Sequence, residues 1–436
     1  MAEVQPFRGV RYNQQLVKDL ASVICPPYDI IPPQMEQELY LSSDYNFVRL
    51  EAARELPQDM GEDNKYTRAA ATLKQWLEQG VLQVDGVPAI YLHHHHFTHS
   101  GKEYWRRGML LRVRLEEWDR MVVRPHEGTL SKPKADRVSL LWALQANTSP
   151  IWALFQDEQK RVAQVLTEEE KKEPVINFAG HGGEKHVVWA VSDTAAINQI
   201  ERSLARQPIY IADGHHRYES ALTYRRERLT LAEASSEDEA FNFVLMMLVD
   251  FADPGLVILP PHRLIRGISR LTLDEMVTRL RLFFAVEELP LSAGVWQQVD
   301  RLLATEVDQP KVVLFGLSTE KLMVLKLRDF ASASQMMPYF HSELYKRLDV
   351  SVVDHIILEK VLELSSEREE VTLSYSHTRQ DAVDKVLSGE YQLAFLLSPV
   401  RVETIKAIAD IGDRMPRKST YFYPKAPAGL VFYRLG

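Results

Sequence analysis

Pro208-Ile209-Tyr210-Ile211-Ala212-Asp213-Gly214-His215-His216-Arg217-Tyr218-Glu219 is an apolar run that ends on an acid and a glycine and passes straight into helix-forming sequence. Residues 209–212 predict a short buried strand and residues 215–228 a helix, with Gly214 allowing the tight turn between them. Strand, turn and helix in direct succession make the unit of α/β architecture. The rhythm continues on both sides. Residues 186–191 predict a strand and 193–206 a helix capped by Asp193. Residues 241–251 are a nearly continuous apolar run, which fits a strand buried on both faces. The expected class is α/β, or α+β, with mixed sheets. A first region, 1–265, carries the polar motifs. A second, 266–436, reads as α+β, with a helix at 273–283, a hairpin at 312–327, a helix at 353–364, and strands at 372–375, 392–397 and 430–433.

Composition narrows the function classes. The 436 residues hold 60 acidic and 52 basic side chains, a net charge of −8, whereas a protein that tracks phosphate backbones carries a basic surplus. Nucleic acid is therefore disfavoured as a partner. The single cysteine, Cys25, excludes an internal disulfide framework and a cysteine-only zinc site. The longest uncharged stretch, 138–156, includes Gln145, Asn147, Thr148 and Pro150, so it is no bilayer span. With no signal-like run at the start, the chain reads as cytoplasmic, without a membrane partner.

Four stretches carry candidate chemistry. His215, His216 and Arg217 sit in the first turn of a helix, where cations oppose the dipole. An anion there, most simply a phosphate, would offset them. The competing reading is a capped helix whose histidines bond to backbone. The loop 124–137 is dense in charge of both signs. Arg124, Lys132, Lys134 and Arg137 are candidates to clamp an anion, and Glu127 or His126 to move a proton; the alternative is a solvated loop. A helix is expected to start at Asp136. The two polar stretches are expected to form two walls of one cleft, and Arg217 is expected to serve nucleotide binding more than the fold, with a buried ion pair at Arg217 as the alternative. His93-His94-His95-His96 alternate along a strand, so at most two share a face, and no acid lies near in sequence. No structural metal is expected there. Cys25-Pro26-Pro27-Tyr28-Asp29 and Ile31-Pro32-Pro33 predict a rigid extended loop. Pro260-Pro261-His262-Arg263, and Arg417-Lys418-Ser419-Thr420 with Lys425, are weaker polar clusters.

Several of these blocks recur together. Cys25-Pro26-Pro27-Tyr28-Asp29, Asn46-Phe47-Val48-Arg49-Leu50, Arg106-Arg107-Gly108, residues 124–129, Tyr210 to Tyr218, Pro260-Pro261-His262-Arg263 and Arg417-Lys418-Ser419-Thr420-Tyr421 resemble, in that order, the bacterial and archaeal family catalogued as domain of unknown function 1015. Pro125 and the four-histidine run depart from that pattern. A shorter stretch, Asp213-Gly214-His215-His216-Arg217 with Ala221, is similar to the nucleotide-contacting motif of ParB-like proteins, sulfiredoxins and free-serine kinases. This second resemblance implies a nucleotide-binding core plus an additional α+β domain. It also implies a nucleotide-dependent phosphotransferase acting on a small hydroxylated metabolite such as serine, with ATP or ADP and Mg²⁺. Gly214, His215, His216 and Arg217, helped by Arg124, Lys132 and Arg137, would hold the nucleotide. Asp213 would place Mg²⁺ and take part in catalysis, and Glu127 or His126 would be the base. The alternative is a nucleotide-binding regulatory protein without turnover. DNA partitioning or nuclease action is disfavoured by the charge and by the lack of a helix-turn-helix pattern.

Overall fold

Seven consecutive buried side chains, Phe243 to Val249, form a strand with no solvated face, and such a strand needs neighbours on both edges and cover on both sides. The computed structural model supplies them; it describes residues 2–231, 236, 238–305, 309–364 and 372–436. The protein is mixed α/β and divides into two compact units. One comprises Met1–Pro125, Thr129–Leu256 and Pro424–Gly436, the other His126–Gly128 and Val257–Tyr423. The division falls nine residues before the 265/266 boundary read from the sequence, and the last stretch returns to the first unit.

The first unit is built on a nine-stranded sheet. In chain order its strands are β1 (Val4–Gln5), β2 (Ile90–His99), β3 (Lys102–Arg114), β4 (Val123–Arg124), β5 (Ile151–Phe155), β6 (Ile176–Ala179), β7 (Lys185–Val191), β8 (Ile209–Asp213) and β9 (Phe243–Asp250). They lie in the order β4-β8-β5-β9-β3-β2-β7-β6, with β1 beside β3. The β9 strand runs parallel to β5 and antiparallel to β3, so the sheet is mixed.

Three helices of this unit bear on the site: α1 (Lys65–Glu78), α2 (Ser131–Leu144) and α3 (His215–Leu231). Asn64 caps α1 in a reciprocal box with Thr67. The α2 and α3 helices pack on each other. The sequence placed the start of α2 at Asp136, five residues too late. Pro133 lies within the first turn, where a missing N–H costs nothing. Lys132, Asp136 and Arg137 therefore stand on a helix rather than a loop. The proline-rich stretch is likewise not extended throughout, because Pro33 opens the helix Pro33–Ser42. Asp193 caps Thr194–Leu204 by accepting from the Ala196 N–H at 2.8 Å, as expected.

The second unit holds an antiparallel six-stranded sheet. Its strands are β10 (His262–Ile265), β11 (Phe284–Pro290), β12 (Lys311–Phe315), β13 (Lys321–Leu327), β14 (Leu373–Ser376) and β15 (Leu393–Leu396), in the order β11-β13-β12-β15-β10-β14. Leu264, Val313, Val324 and Leu396 pack with Val299 of helix Val295–Ala304 and Ala382 of helix Arg379–Leu387 in one buried cluster. Among the described residues no helix is long and apolar enough to cross a membrane.

Gly316, just after β12, has φ +115°, and a Cβ there would lie 2.1 Å from the Gln392 carbonyl oxygen. Gly316→Ala is expected to destabilise the protein by about 2 kcal/mol or more, through both backbone strain and overpacking, read by denaturant unfolding.

Candidate functional site

Asp213 closes β8, and α3 begins two residues later. Gly214 between them has φ +98°, and a Cβ on it would come within 2.9 Å of the Arg217 Nε. Glycine thus serves twice here. It takes the left-handed turn and leaves room for Arg217 to fold back over it. Arg217 donates from Nη2 to Asp213 Oδ2 at 2.6 Å and from Nη1 to the Pro150 carbonyl at 2.5 Å. Lys425 Nζ holds the other carboxylate oxygen, Oδ1. The Asp213, Arg217 and Lys425 side chains are only 12%, 10% and 8% exposed. Burial resists ionisation of Asp213, but Lys425 and then Arg217 outweigh it and hold its pKa well below the usual carboxylate range. For Arg217, burial is likewise overcome by Asp213, Asp29 and Glu51, which keep it charged.

A second acid centre lies in the same unit. Glu51 is fully buried and accepts from Thr148 Oγ1 at 2.5 Å, Ser149 Oγ at 2.9 Å and the Tyr28 N–H at 3.2 Å. Arg137 donates to the Glu51 main-chain carbonyl at 2.8 Å and lies 3.9 Å over the Tyr28 ring. Arg137 also pairs with Asp136 at 2.5 Å, and Asp136 binds Lys65 Nζ and the Tyr66 hydroxyl, each at 2.8 Å. Burial opposes ionisation of Asp136, but Arg137 and Lys65 pull its pKa down to about 2. A cavity of about 30 Å³, with Arg137, Thr148, Ser149 and Arg217 in its wall, joins the two centres. It has room for a water molecule or two.

Of the expected cleft, the structure brings Asp213, Gly214 and Arg217 together, and Arg137 shares a small cavity wall with Arg217. The start of the charged loop also reaches α3: the Leu130 N–H donates to His216 Nε2 at 2.9 Å, and Thr129 Oγ1 binds the Glu219 carboxylate. His215 is buried beside Asp213. Lys132 is exposed. Arg124 turns to the Met121 carbonyl at 3.0 Å and the Tyr210 hydroxyl at 3.2 Å.

The structure places the other expected residues as follows. Arg217 takes the second of the two cases read from the sequence, a buried pair with Asp213. Asp213 Oδ2 faces Arg217 and Oδ1 faces Lys425. Glu127 and His126 belong to the second unit, where they hold the loop at 417–420. Glu127 Oε1 accepts from the Ser419 and Thr420 N–H groups at 3.1 and 3.3 Å, and His126 Nε2 meets Thr420 Oγ1 at 3.0 Å. In the same unit Arg263, fully buried, pairs with Asp354 at 3.1 Å and donates to the Lys418 carbonyl at 2.9 Å. Three sequence blocks thereby meet in one place. Glu51, Lys65, Thr148 and Ser149 were missed as site residues; the only sequence signal was that Glu51 directly follows the block ending at Leu50.

The four histidines, which have no acidic neighbour in sequence, gain one in three dimensions. His95 stands opposite His186 of β7, and Glu184 at the head of that strand lies 2.9 Å from His95 Nε2. Burial drives the His95 pKa down to about 3. Burial resists the Glu184 charge, but hydrogen bonds from His186 and His95 take its pKa to about 2.

With this geometry in place, the chain can be set beside known proteins. The family model described as Protein of unknown function (DUF1015) matches residues 4–351, and the chain belongs to that family. The block at 417–421 lies beyond the matched residues. No curated protein matches. A conserved hypothetical protein from Pyrococcus furiosus is similar at 13% identity and TM-score 0.35, covering 75% of this chain and 95% of that one. A free serine kinase in complex with AMP is similar at 14% identity and TM-score 0.34, with 72% and 86% covered. SbnI from Staphylococcus aureus, truncated at its C-terminus, is similar at 11% identity and TM-score 0.34, with 73% and 84% covered.

Arg217→Ala would leave the Pro150 carbonyl without its donor and Asp213 with one cation. A stability loss of about 3 kcal/mol is expected in a denaturant melt. Acid should act through Asp136 as well. Its native pKa lies below the ordinary value of about 3.9, so its stabilising effect is complete above about pH 4 and is lost as pH falls towards 2. In thermal melts across that range, Asp136→Asn is expected to show a flatter dependence of Tm on pH than the wild type.

Proposed function

We propose that the junction of β8 and α3 recognises the phosphate of a nucleotide, and that the chain is a nucleotide-dependent phosphotransferase acting on the hydroxyl of a small metabolite. The observation that carries this reading is the buried, charge-matched network around Asp213. A buried ion pair gives little or no net stability over apolar packing of the same volume, so Asp213, Arg217 and Lys425 are costly as mere architecture. The α3 helix directs the positive end of its dipole to the same point, with no acidic residue in its first turn. A phosphate arriving there competes with Asp213 for Arg217 and Lys425, and the backbone of Gly214, His215 and His216 lines its approach. The ParB-like and serine-kinase resemblance of the motif implies ATP or ADP as the nucleotide and serine as a candidate acceptor. Mg²⁺ would have to be held by groups other than Asp213, and no step is assigned to it. Glu127 and His126 are engaged in the second unit and receive no role as base.

The full engagement of Asp213 also favours a second reading, in which a nucleotide binds and regulates without turnover. Both are tested with the full chain. ATP, ADP and AMP are titrated calorimetrically, and phosphorus NMR follows the chain with nucleotide, Mg²⁺ and a pool of hydroxylated amino acids. Binding that weakens ten- to hundredfold in Lys425→Met is expected, the loss of one charge-assisted contact. A new phosphoester signal supports the transferase, and binding without one supports the regulator. A folded wild-type chain that binds none of the three nucleotides rejects both.

A further inference from the structure

On one face of β2 and β7, far from β8 in the strand order, a second constellation stands apart from the phosphate site. His95 and His186 are cross-strand partners, and their rings lie 4.3 Å apart between centroids. Both are almost wholly buried, at 1% and 2% exposure. The β6–β7 connection returns Glu184 over them, closed by a 2.8 Å bond from the Gly180 N–H to the Glu184 carbonyl. Glu184 Oε2 lies 2.9 Å from His95 Nε2 and 3.5 Å from His186 Nε2. One ligand atom from each of the three residues falls within 4.8 Å of the others. Gly180 keeps the space beside them clear, since a Cβ on it would lie 3.2 Å from His186 Nε2.

We propose that His95, His186 and Glu184 bind a divalent transition-metal ion of the zinc type, with the fourth position open to solvent. Two imidazoles and one carboxylate form a donor set suited to such an ion, and three protein ligands with a free position are typical of sites that act on a bound water or substrate. The outer groups are in place. His186 Nδ1 faces His93 Nε2 at 3.0 Å, so a metal on His186 Nε2 leaves Nδ1–H to donate to His93, whose own proton then sits on Nδ1. Arg106 Nη2 lies 3.2 Å from His95 Nδ1. Arginine can only donate, so the His95 proton sits on Nε2, aimed at Glu184. Binding of the ion at Nε2 of the neutral ring moves that proton to Nδ1, and Arg106 Nη2 keeps its 3.0 Å bond to the Pro424 carbonyl. Glu184, 30% exposed in its side chain, is the route by which an ion enters.

The test uses the full chain, freed of any affinity tag and stripped with chelator, titrated with Zn²⁺ and with Co²⁺ as a spectroscopic probe. One ion per chain is expected, with the intense visible absorption of four-coordinate Co²⁺. Glu184→Gln should weaken binding at least tenfold, while His96→Ala, on the opposite face of β2, should leave it unchanged. Gly180→Ala is the second variant: it places a methyl beside His186 Nε2 and should also weaken binding, with circular dichroism confirming the fold. No Co²⁺ absorption in the wild type would overturn the proposal. So would binding lost in His96→Ala and retained in Glu184→Gln and Gly180→Ala, which would place the ion on the other face of the strand.

Discussion

A carboxylate taken out of water has to be met by cations or hydrogen-bond donors at contact distance, and Asp213 is met by two cations. One, Arg217, comes from the first turn of the helix that follows its strand. The other, Lys425, comes from 212 residues further along the chain. Removing either leaves a charge in a medium where an unpaired charge is far more costly than in water. The rest of the junction follows from this requirement. Gly214 must be glycine so that Arg217 can reach back. Pro150 must present its carbonyl so that the second face of the guanidinium is satisfied. The segment after Pro424 must return to the first unit so that Lys425 arrives.

The same rule is applied again at Glu51 and Asp136 with different partners. Glu51 is satisfied by hydroxyls and a backbone N–H, which stabilise it without adding charge. Asp136 is satisfied by Arg137 and Lys65, which do add charge. The two solutions differ in how they answer a ligand. Hydroxyls can turn and share, whereas a paired cation must leave one anion to serve another. On the reading proposed above, a phosphate would meet adaptable donors on the Glu51 side and committed ones on the Asp213 side.

What could be read in advance was what short-range physics decides. Strand β8, the turn at Gly214 and helix α3 follow one another within a dozen residues, and β9 announces itself by unbroken apolarity. The edge strand β11 was not read, because Phe284–Pro290 carries Glu287 and Glu288 and buries little beyond Phe284. Its strand state comes from pairing with β13, not from its own pattern. The start of α2 was hidden by Pro133 and two lysines, which resemble a loop until the first-turn exemption for proline is applied. Charge density on 124–137 was visible, but its partners were not. Glu127 is bound by residues about 290 positions away, and no local spacing carries that information. The partners of the histidine run were hidden for the same reason, since alternation along one strand is silent about what the neighbouring strand contributes.

The return of Pro424–Gly436 to the first unit has a consequence for how the chain is made. A ribosome delivers β8 and Asp213 long before Lys425, with the whole of Val257–Tyr423 still to come. During that interval the acid at the end of β8 lacks one of its two cations, and Tyr433 and Arg434 are not there to pair with Asn147 and Ala146. The first unit can collapse around β9 as it emerges, but its polar centre closes only after synthesis has passed residue 425. A nascent first unit is thus left with an open seam, and contacts of such long sequence separation are slow to form. That interval is when a chaperone has most to hold, and a chain stopped before residue 425 leaves Asp213 with Arg217 as its one cation of the two.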